Sequence, residues 1–320
     1  MALPNFAFFK GRIVPYGDAK FGVLNHTFNY GTGAFGGLRG YWNEEARQLY
    51  VFRPLDHYQR FLESAKLLCM KLPFTKEDLV QATLDLLRAE NFNTDCYIRP
   101  LAYFTDEVIG VRLFDLTADV TMASVPLGRY LPKEEGLHIG TSSWMRVEDN
   151  MIPARGKIVG SYVNSSLIKT EAHLNGFDDA LVLNRNGHIA EGSAACFYMI
   201  RRGVAYTPPV TDNILEGIIR RTVMQLLRDE MGMEVVERSI DRTEVYLAEE
   251  AFFCGTGVQI AAIVKVDHRI VGDGIMGPIT QALRKLYFDI VRGRVAKYRN
   301  WCTPVFEQKK ESGVRSQESE

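Results

Sequence analysis

The chain has 320 residues, 46% of them hydrophobic and 24% charged, with a formal net charge of −1 at pH 7. These are the proportions of a soluble globular protein, and the balanced charge gives no global field toward nucleic acid or an anionic membrane. No run reaches the roughly 18 uninterrupted apolar residues of a membrane span, and "MALPNFAFFKGR" lacks the charged start and long apolar stretch of a signal peptide, so a cytoplasmic chain is expected.

The length predicts about two domains. "FAFFKGRIV" reads as a hairpin with a Lys10-Gly11 turn. "LDHYQRFLESAKLLCM" has apolar residues at helical spacing, and "TKEDLVQATLDLLRAE" opens with a capping box from Thr75 to Asp78 before an amphipathic helix. "CYIRPLAYF" and "ADVTMASV" read as strands. "PLGRYLPKEEG", residues 126–136, is rich in Pro, Gly and charge and reads as a linker. Beyond it come a strand "LHIGTSSW", a helix "YVNSSLIKTEAHLNG" closed by Gly176, and a hairpin turning at Asn186-Gly187. A second hairpin covers "CFYMIRRGVAYTPP", and a helix covers 214–232. Two strands then flank a glycine turn in "EEAFFCGTGVQIAAIVKVDHRIV", and a last helix spans 277–294. The expected division is a small N-terminal domain over 1–127, an interdomain loop over 128–136, a C-terminal domain over 137–305 and a disordered tail over 306–320. The five cysteines (Cys69, Cys96, Cys196, Cys254, Cys302) are scattered, without CxxC or Cys/His spacing, so they read as reduced thiols rather than a zinc site or a disulfide framework. None of the six histidines has metal-ligand spacing, so no metal is expected. The short basic pairs Arg201-Arg202 and Arg220-Arg221 read as solvated or structural.

Lys157 is harder to explain. It stands among Gly156, Ile158, Val159 and Gly160, just before a helix. Most lysines are solvated, but burial lowers a lysine's pKa and makes its amine nucleophilic toward carbonyls near neutral pH. Pyridoxal 5'-phosphate (PLP) is the commonest biological carbonyl to need such an amine. PLP also requires helix N-terminal N–H groups and an arginine for its phosphate, and an acid for its ring nitrogen. Gly217, Ile218 and Ile219 at a helix start supply the first of these by physical argument alone, because glycine lets backbone N–H groups approach an anion closely.

"RGKIVGSYVNSSLIKTEA" followed by "DDALVLNRNGHIAEGSAACFYMI" resembles the fold-type IV PLP enzymes, and the branched-chain amino acid aminotransferases in particular. "YGTGAFGGLRGYW", "DHYQRFLESAK", "YIRPLAYF", "ILEGIIR" and "FFCGTGVQI" fit in the same order, from about residue 6 to about residue 303. The resemblance implies a two-domain α/β protein whose larger C-terminal domain is barrel-like. It implies that Lys157 holds PLP covalently and shuttles a proton, that Tyr162 bonds the phenolic oxygen, and that Glu191 meets the ring nitrogen. Arg60, Gly217, Ile218, Ile219 and Thr256 would hold the phosphate. Ile219 stands where many relatives have threonine, which leaves the backbone donor and removes a hydroxyl.

For substrate, the resemblance implies that Tyr97 with the backbone of Thr256 and Gly257 receives the α-carboxylate. Arg99, Tyr30 and Tyr130 would receive the distal carboxylate of glutamate, with Phe35 on the same wall. Part of that wall would come from a neighbouring subunit, so a homodimer or larger oligomer with shared sites is expected. The implied reaction is ping-pong transfer of the amine of L-leucine, L-isoleucine or L-valine to 2-oxoglutarate. Gly36, Gly257, Leu127 and the run Ala194, Ala195, Cys196 depart from the usual family residues and suggest a widened pocket, with slow turnover of (R)-primary amines as a second expected activity. The alternatives on the same fold are an (R)-amine or D-amino acid aminotransferase and an aminodeoxychorismate lyase. The alternative outside enzymes is a PLP-binding regulatory protein.

Overall fold

The computed structural model describes residues 3–129 and 133–307. Tyr130, the neighbouring loop residues 131–132 and the tail from 308 onward lie outside the described residues. The first half contains strands β1 (Phe6–Phe9) and β2 (Arg12–Pro15), helix α1 (His26–Tyr30), strands β3 (Ala34–Phe35), β4 (Leu38–Asn43) and β5 (Gln48–Phe52), helices α2 (Pro54–Leu67) and α3 (Lys76–Glu90), and strands β6 (Cys96–Phe104) and β7 (Ala118–Pro126). The second half contains β8 (Leu137–Thr141), α4 (Tyr162–Leu174), β9 (Asp179–Leu183), β10 (Ile189–Gly192), β11 (Cys196–Arg201), β12 (Val204–Thr207), α5 (Ile218–Asp229), β13 (Val235–Glu237), β14 (Glu250–Gly255), β15 (Gln259–Val266), β16 (Arg269–Ile270), α6 (Pro278–Val291) and β17 (Cys302–Pro304).

Local chemistry accounts for the boundaries. At the start of α3 the Thr75 hydroxyl accepts from Asp78 N–H at 3.1 Å, and the Asp78 carboxylate accepts from Thr75 N–H at 2.9 Å. Such a cap contributes roughly 0.5–2 kcal/mol. Gly187 turns the β9–β10 hairpin at φ +82°, a conformation that side-chain-bearing residues seldom adopt.

The first sheet is antiparallel, in the order β17-β5-β4-β6-β7-β1-β2 with β3 beside β6. Helices α2 and α3 cover it through Tyr58, Phe61, Leu79 and Leu86, all nearly inaccessible to solvent. The second sheet runs β10-β9-β8-β15-β14-β11-β12-β13, and β8 is parallel to both β9 and β15. Gly192 N–H donates to the Ala195 carbonyl at 2.7 Å, bringing β10 back against β11, so the sheet curls toward a barrel. Leu137, Phe197, Phe253 and Ile263 fill one of its faces, and α5 and α6 cover β11 and β14 on the other. The two halves share a core. Tyr41, Tyr50 and Phe52 of the first sheet pack with Tyr287 of α6, and the Tyr41 and Tyr287 hydroxyls are 3.0 Å apart.

The C-terminal segment departs from expectation. Cys302–Pro304 pairs with β5, in the first sheet rather than the second. Phe306, placed in the tail by its polar surroundings, packs on Trp42 and donates its N–H to Gln48 Oε1 at 2.9 Å. A three-residue strand and one aromatic ring are too short to produce a readable period. Among the described residues no helix is long and apolar enough to cross a membrane.

Candidate active site

Lys157 lies where the two halves meet. Its carbonyl accepts from Phe35 N–H at 2.9 Å, and Val159 and Gly160 donate to Gly33 and Gly31 at 2.8 and 2.9 Å. Residues 157–160 thus run alongside 31–35, with an isolated antiparallel bridge between Ala34 and Ile158. The approach depends on glycine, since a Cβ on Gly31 would lie 2.9 Å from the Gly160 Cα. Ser64 of α2 completes the seat. Its hydroxyl accepts from Lys157 N–H at 3.1 Å and donates to the Arg60 carbonyl at 2.8 Å. The small residues around Lys157 are therefore what lets two backbones clamp it.

The Lys157 amine hydrogen-bonds the Tyr162 hydroxyl and lies 4.8 and 4.7 Å from the Phe35 and Tyr162 ring centroids. Burial pulls its pKa down to about 8, with Arg60 and Arg99 adding to the fall and Tyr97 and Glu191 opposing it. Tyr162, the first residue of α4, is pushed up to about 12, mainly by burial and then by the Glu191 charge. Glu191, on β10, is buried. Arg146 contacts its Oε1 at 3.1 Å and Leu215 N–H donates to its Oε2 at 3.3 Å. Arg146 is itself buried and donates from Nε to the Asn213 carbonyl at 3.0 Å.

The N-terminus of α5 opens on the same cavity. The chain runs extended through Gly217, the N-cap of α5. Helix α5 thus begins at Ile218, later than the periodicity over 214–232 predicts. Glycine offers no side chain to cap the helix, which leaves the first-turn N–H groups of Ile218 and Ile219 as free donors. Arg60 reaches this point from α2, donating to the Glu216 carbonyl at 3.1 Å, and Thr256 comes from the β14–β15 turn.

One cavity of about 410 Å³ is lined by Lys157, Tyr162, Glu191, Arg60, Gly217, Ile218, Ile219 and Thr256, together with Phe35, Tyr97, Arg99 and Gly257. Arg99 donates to the Tyr97 hydroxyl at 3.1 Å and stacks on Phe35 at 4.6 Å, so its guanidinium faces both a polar and an apolar wall. Leu127, Ala194, Ala195 and Cys196 also line the cavity. Tyr30 does not. Its hydroxyl accepts from Gly110 N–H at 3.0 Å, outside the lining. Gly36 is not at the substrate pocket as expected, because a Cβ there would lie 2.6 Å from Pro100 Cγ and point toward Phe61. Residues 35 and 37 face the cavity and 36 faces the core, as alternation along an extended segment requires.

Three contributors are not evident from sequence. Arg146 has no local signal, because its partner is remote in the chain. Ser64 reads as one more helix residue. Gly37 matters because a Cβ there would overlap the Tyr97 hydroxyl. Among the described residues no group of three or more His, Cys, Asp or Glu could hold a metal ion.

Comparison with known proteins identifies the family. The sequence model described as amino-transferase class IV matches residues 34–266. An Aquifex aeolicus protein named "Probable branched-chain-amino-acid aminotransferase" is 44% identical over 304 residues, covering 95% of this chain and 98% of its own. Among solved structures, the branched-chain aminotransferase of Thermoproteus uzoniensis with norvaline superposes with a TM-score of 0.91 at 42% identity, covering 95% of this chain and all of its own. The Thermobaculum terrenum branched-chain amino acid aminotransferase in its PLP form gives a TM-score of 0.91 at 40% identity, covering 96% of this chain and all of its own. The chain therefore belongs to the class IV aminotransferases and, among them, to the branched-chain amino acid aminotransferase family.

Proposed function

We propose that this protein is a PLP-dependent transaminase that moves the amine of L-leucine, L-isoleucine or L-valine to 2-oxoglutarate in two half-reactions. The observation that carries the reading is a single cavity containing a lysine held at about 8, a buried carboxylate and a glycine-capped helix N-terminus beside an arginine. This donor set fits PLP group by group. Arg60, the Ile218 and Ile219 N–H groups and the Thr256 hydroxyl suit a phosphate dianion. Glu191, oriented by Arg146 and Leu215 N–H, suits a protonated ring nitrogen, and the Tyr162 hydroxyl suits the phenolic oxygen. When bound, PLP supplies an electrophilic carbonyl and an electron-accepting ring.

Lys157 Nζ attaches the cofactor, then takes the proton from the substrate Cα and returns it on the other side of the exchange. An amine with a pKa near neutrality serves both as nucleophile and as base. Tyr97 and the Thr256–Gly257 backbone hold the α-carboxylate. Phe35 and Leu127 offer apolar surface to a branched side chain, and Arg99 receives the distal carboxylate of glutamate. Ala194, Ala195 and Gly257 keep the cavity wall small, which supports slow turnover of (R)-primary amines as part of the same reading.

The working unit in this reading is at least a homodimer in the cytoplasm, with Tyr30 completing a neighbour's pocket. The large exposed side chains Phe28, Ile109 and Val111, at 77%, 84% and 77% exposure, lie near Tyr30 and support a covered surface there. The test is to mix the PLP-loaded protein with L-leucine and 2-oxoglutarate. Glutamate and 4-methyl-2-oxopentanoate are expected in equal amounts. Pyruvate released from aminodeoxychorismate, or a cofactor spectrum unchanged by any amino acid, would replace this function with a lyase or a binding protein.

A further inference from the structure

Two cysteines at the base of the cavity take no part in the chemistry above. Cys196 opens β11, Cys254 lies in β14, and the strand register sets them directly opposite each other. Opposed residues on antiparallel strands share a face and have Cα atoms about 4.5 or 5.5 Å apart. Disulfides span Cα separations of about 4.4–6.8 Å. Both residues are buried from bulk solvent and both line the cavity. The Cys196 sulfur also lies 3.9 Å from the Leu215 carbonyl and 2.7 Å from where a Cβ on Gly217 would stand, so it underlies the N-cap of α5. Of the other cysteines, Cys69 is exposed, and Cys96 and Cys302 are buried outside the cavity lining.

The two thiols are chemically unequal. The neighbouring Cys254 thiol pulls the Cys196 thiol down, with Arg220 and Arg60 assisting, while burial pushes Cys254 up. Cys196 is therefore the attacking sulfur and Cys254 the resolving one.

We propose that Cys196 and Cys254 form an oxidisable dithiol site, closed to a disulfide by a small peroxide entering the open cavity and shielded when PLP fills it. The Cys196 thiolate attacks one oxygen of hydrogen peroxide. The O–O bond breaks, the departing hydroxide takes up the thiol's proton as water, and Cys196 becomes a sulfenic acid. The Cys254 sulfur then attacks the Cys196 sulfur. The S–S bond forms, the S–O bond breaks, and the hydroxyl leaves with the Cys254 proton as a second water. The dithiol loses two electrons and two protons, and one peroxide becomes two waters. The shielding rests on the PLP reading; the dithiol chemistry does not. At a PLP concentration one hundred times its Kd only about 1% of cavities are open, so closure should slow by about 100-fold.

The experiment treats the full chain with hydrogen peroxide, with and without PLP, and follows cysteine-linked peptides by non-reducing mass spectrometry. Oxidation of exposed Cys69 reports that the oxidant was active. Without PLP, a 196–254 linked peptide two hydrogen atoms lighter than its reduced parts is expected, reversed by dithiothreitol and missing from Cys196→Ser and Cys254→Ser. Oxidised Cys69 with no 196–254 link in the PLP-free wild-type chain overturns the proposal. A link that forms equally fast with and without saturating PLP overturns the shielding and the cofactor's placement, and leaves the dithiol chemistry standing.

Discussion

Replacing Arg146 with methionine isolates the support beneath Glu191. The two side chains are 8% and 6% exposed and 3.1 Å apart. In Arg146→Met the Glu191 carboxylate keeps only the Leu215 N–H, and the Asn213 carbonyl loses its Nε donor. Removing one partner of a buried ion pair costs about 3–5 kcal/mol, because the other charge is left desolvated and unmatched. With an unfolding entropy of about 2.1 cal/mol/K per residue, a 320-residue chain loses roughly 0.7 kcal/mol per degree. The PLP-free variant should therefore melt about 4–8 °C below wild type by scanning fluorimetry. Adding Glu191→Gln to the same chain should recover most of that loss, because the stranded charge is gone. PLP should raise the melting temperature of Arg146→Met by more than it raises that of wild type, since the protonated ring nitrogen becomes the carboxylate's main partner. An Arg146→Met chain melting within 1 °C of wild type, or a double variant whose losses simply add, refutes the reasoning.

Lys157→Ala should abolish covalent retention of PLP after borohydride treatment, and comparable labelling of the variant would assign the attachment to another lysine. The Lys157 amine, held at about 8 in the fold against an ordinary 10.5, also makes stability depend on pH. Below pH 8 the folded chain carries a penalised buried charge. Between 8 and 10.5 the unfolded lysine binds more protons than the folded one, so stability rises with pH across that window. Lys157→Met should flatten this rise in urea midpoints of the PLP-free chain, and an unchanged slope argues against the lowered pKa. Glu191→Gln should retain the fold and PLP while turnover falls by about 10²-fold or more, and near-normal turnover removes Glu191 from the chemistry. Gly37→Ala should displace the Tyr97 hydroxyl from Arg99 and raise KM for L-leucine by roughly tenfold, the worth of one hydrogen bond to a charged group. An unchanged KM would show that Tyr97 does not hold the carboxylate.

The residues legible in the sequence are those whose chemistry is local. Lys157 and Tyr162 share one short segment, Glu191 closes a hairpin marked by Asn186-Gly187, and Gly217 to Ile219 open a helix with a readable amphipathic face. Arg146 could not be read, because the pairing that gives it meaning is made through space. Sequence alone does not say which side of an extended segment faces a cavity: Phe35 and Gly37 face inward and Gly36 between them does not. The return of Cys302–Pro304 to the first sheet was hidden for a different reason, since three residues are too few for a pattern.

The backbone hydrogen bonds of residues 157–160 against 31–35 have a consequence for how the protein matures. Those hydrogen bonds join positions more than a hundred residues apart, and contacts of such long sequence separation form late in folding. Until they form, Lys157 has no fixed backbone and its amine stays solvated, with the reactivity of any surface lysine. The local hairpins β1–β2, β4–β5, β9–β10 and β11–β12 can pair before that. Chemical competence therefore arrives with the docking of the halves, and in a refolding experiment capture of the cofactor at this lysine should lag behind the return of secondary structure.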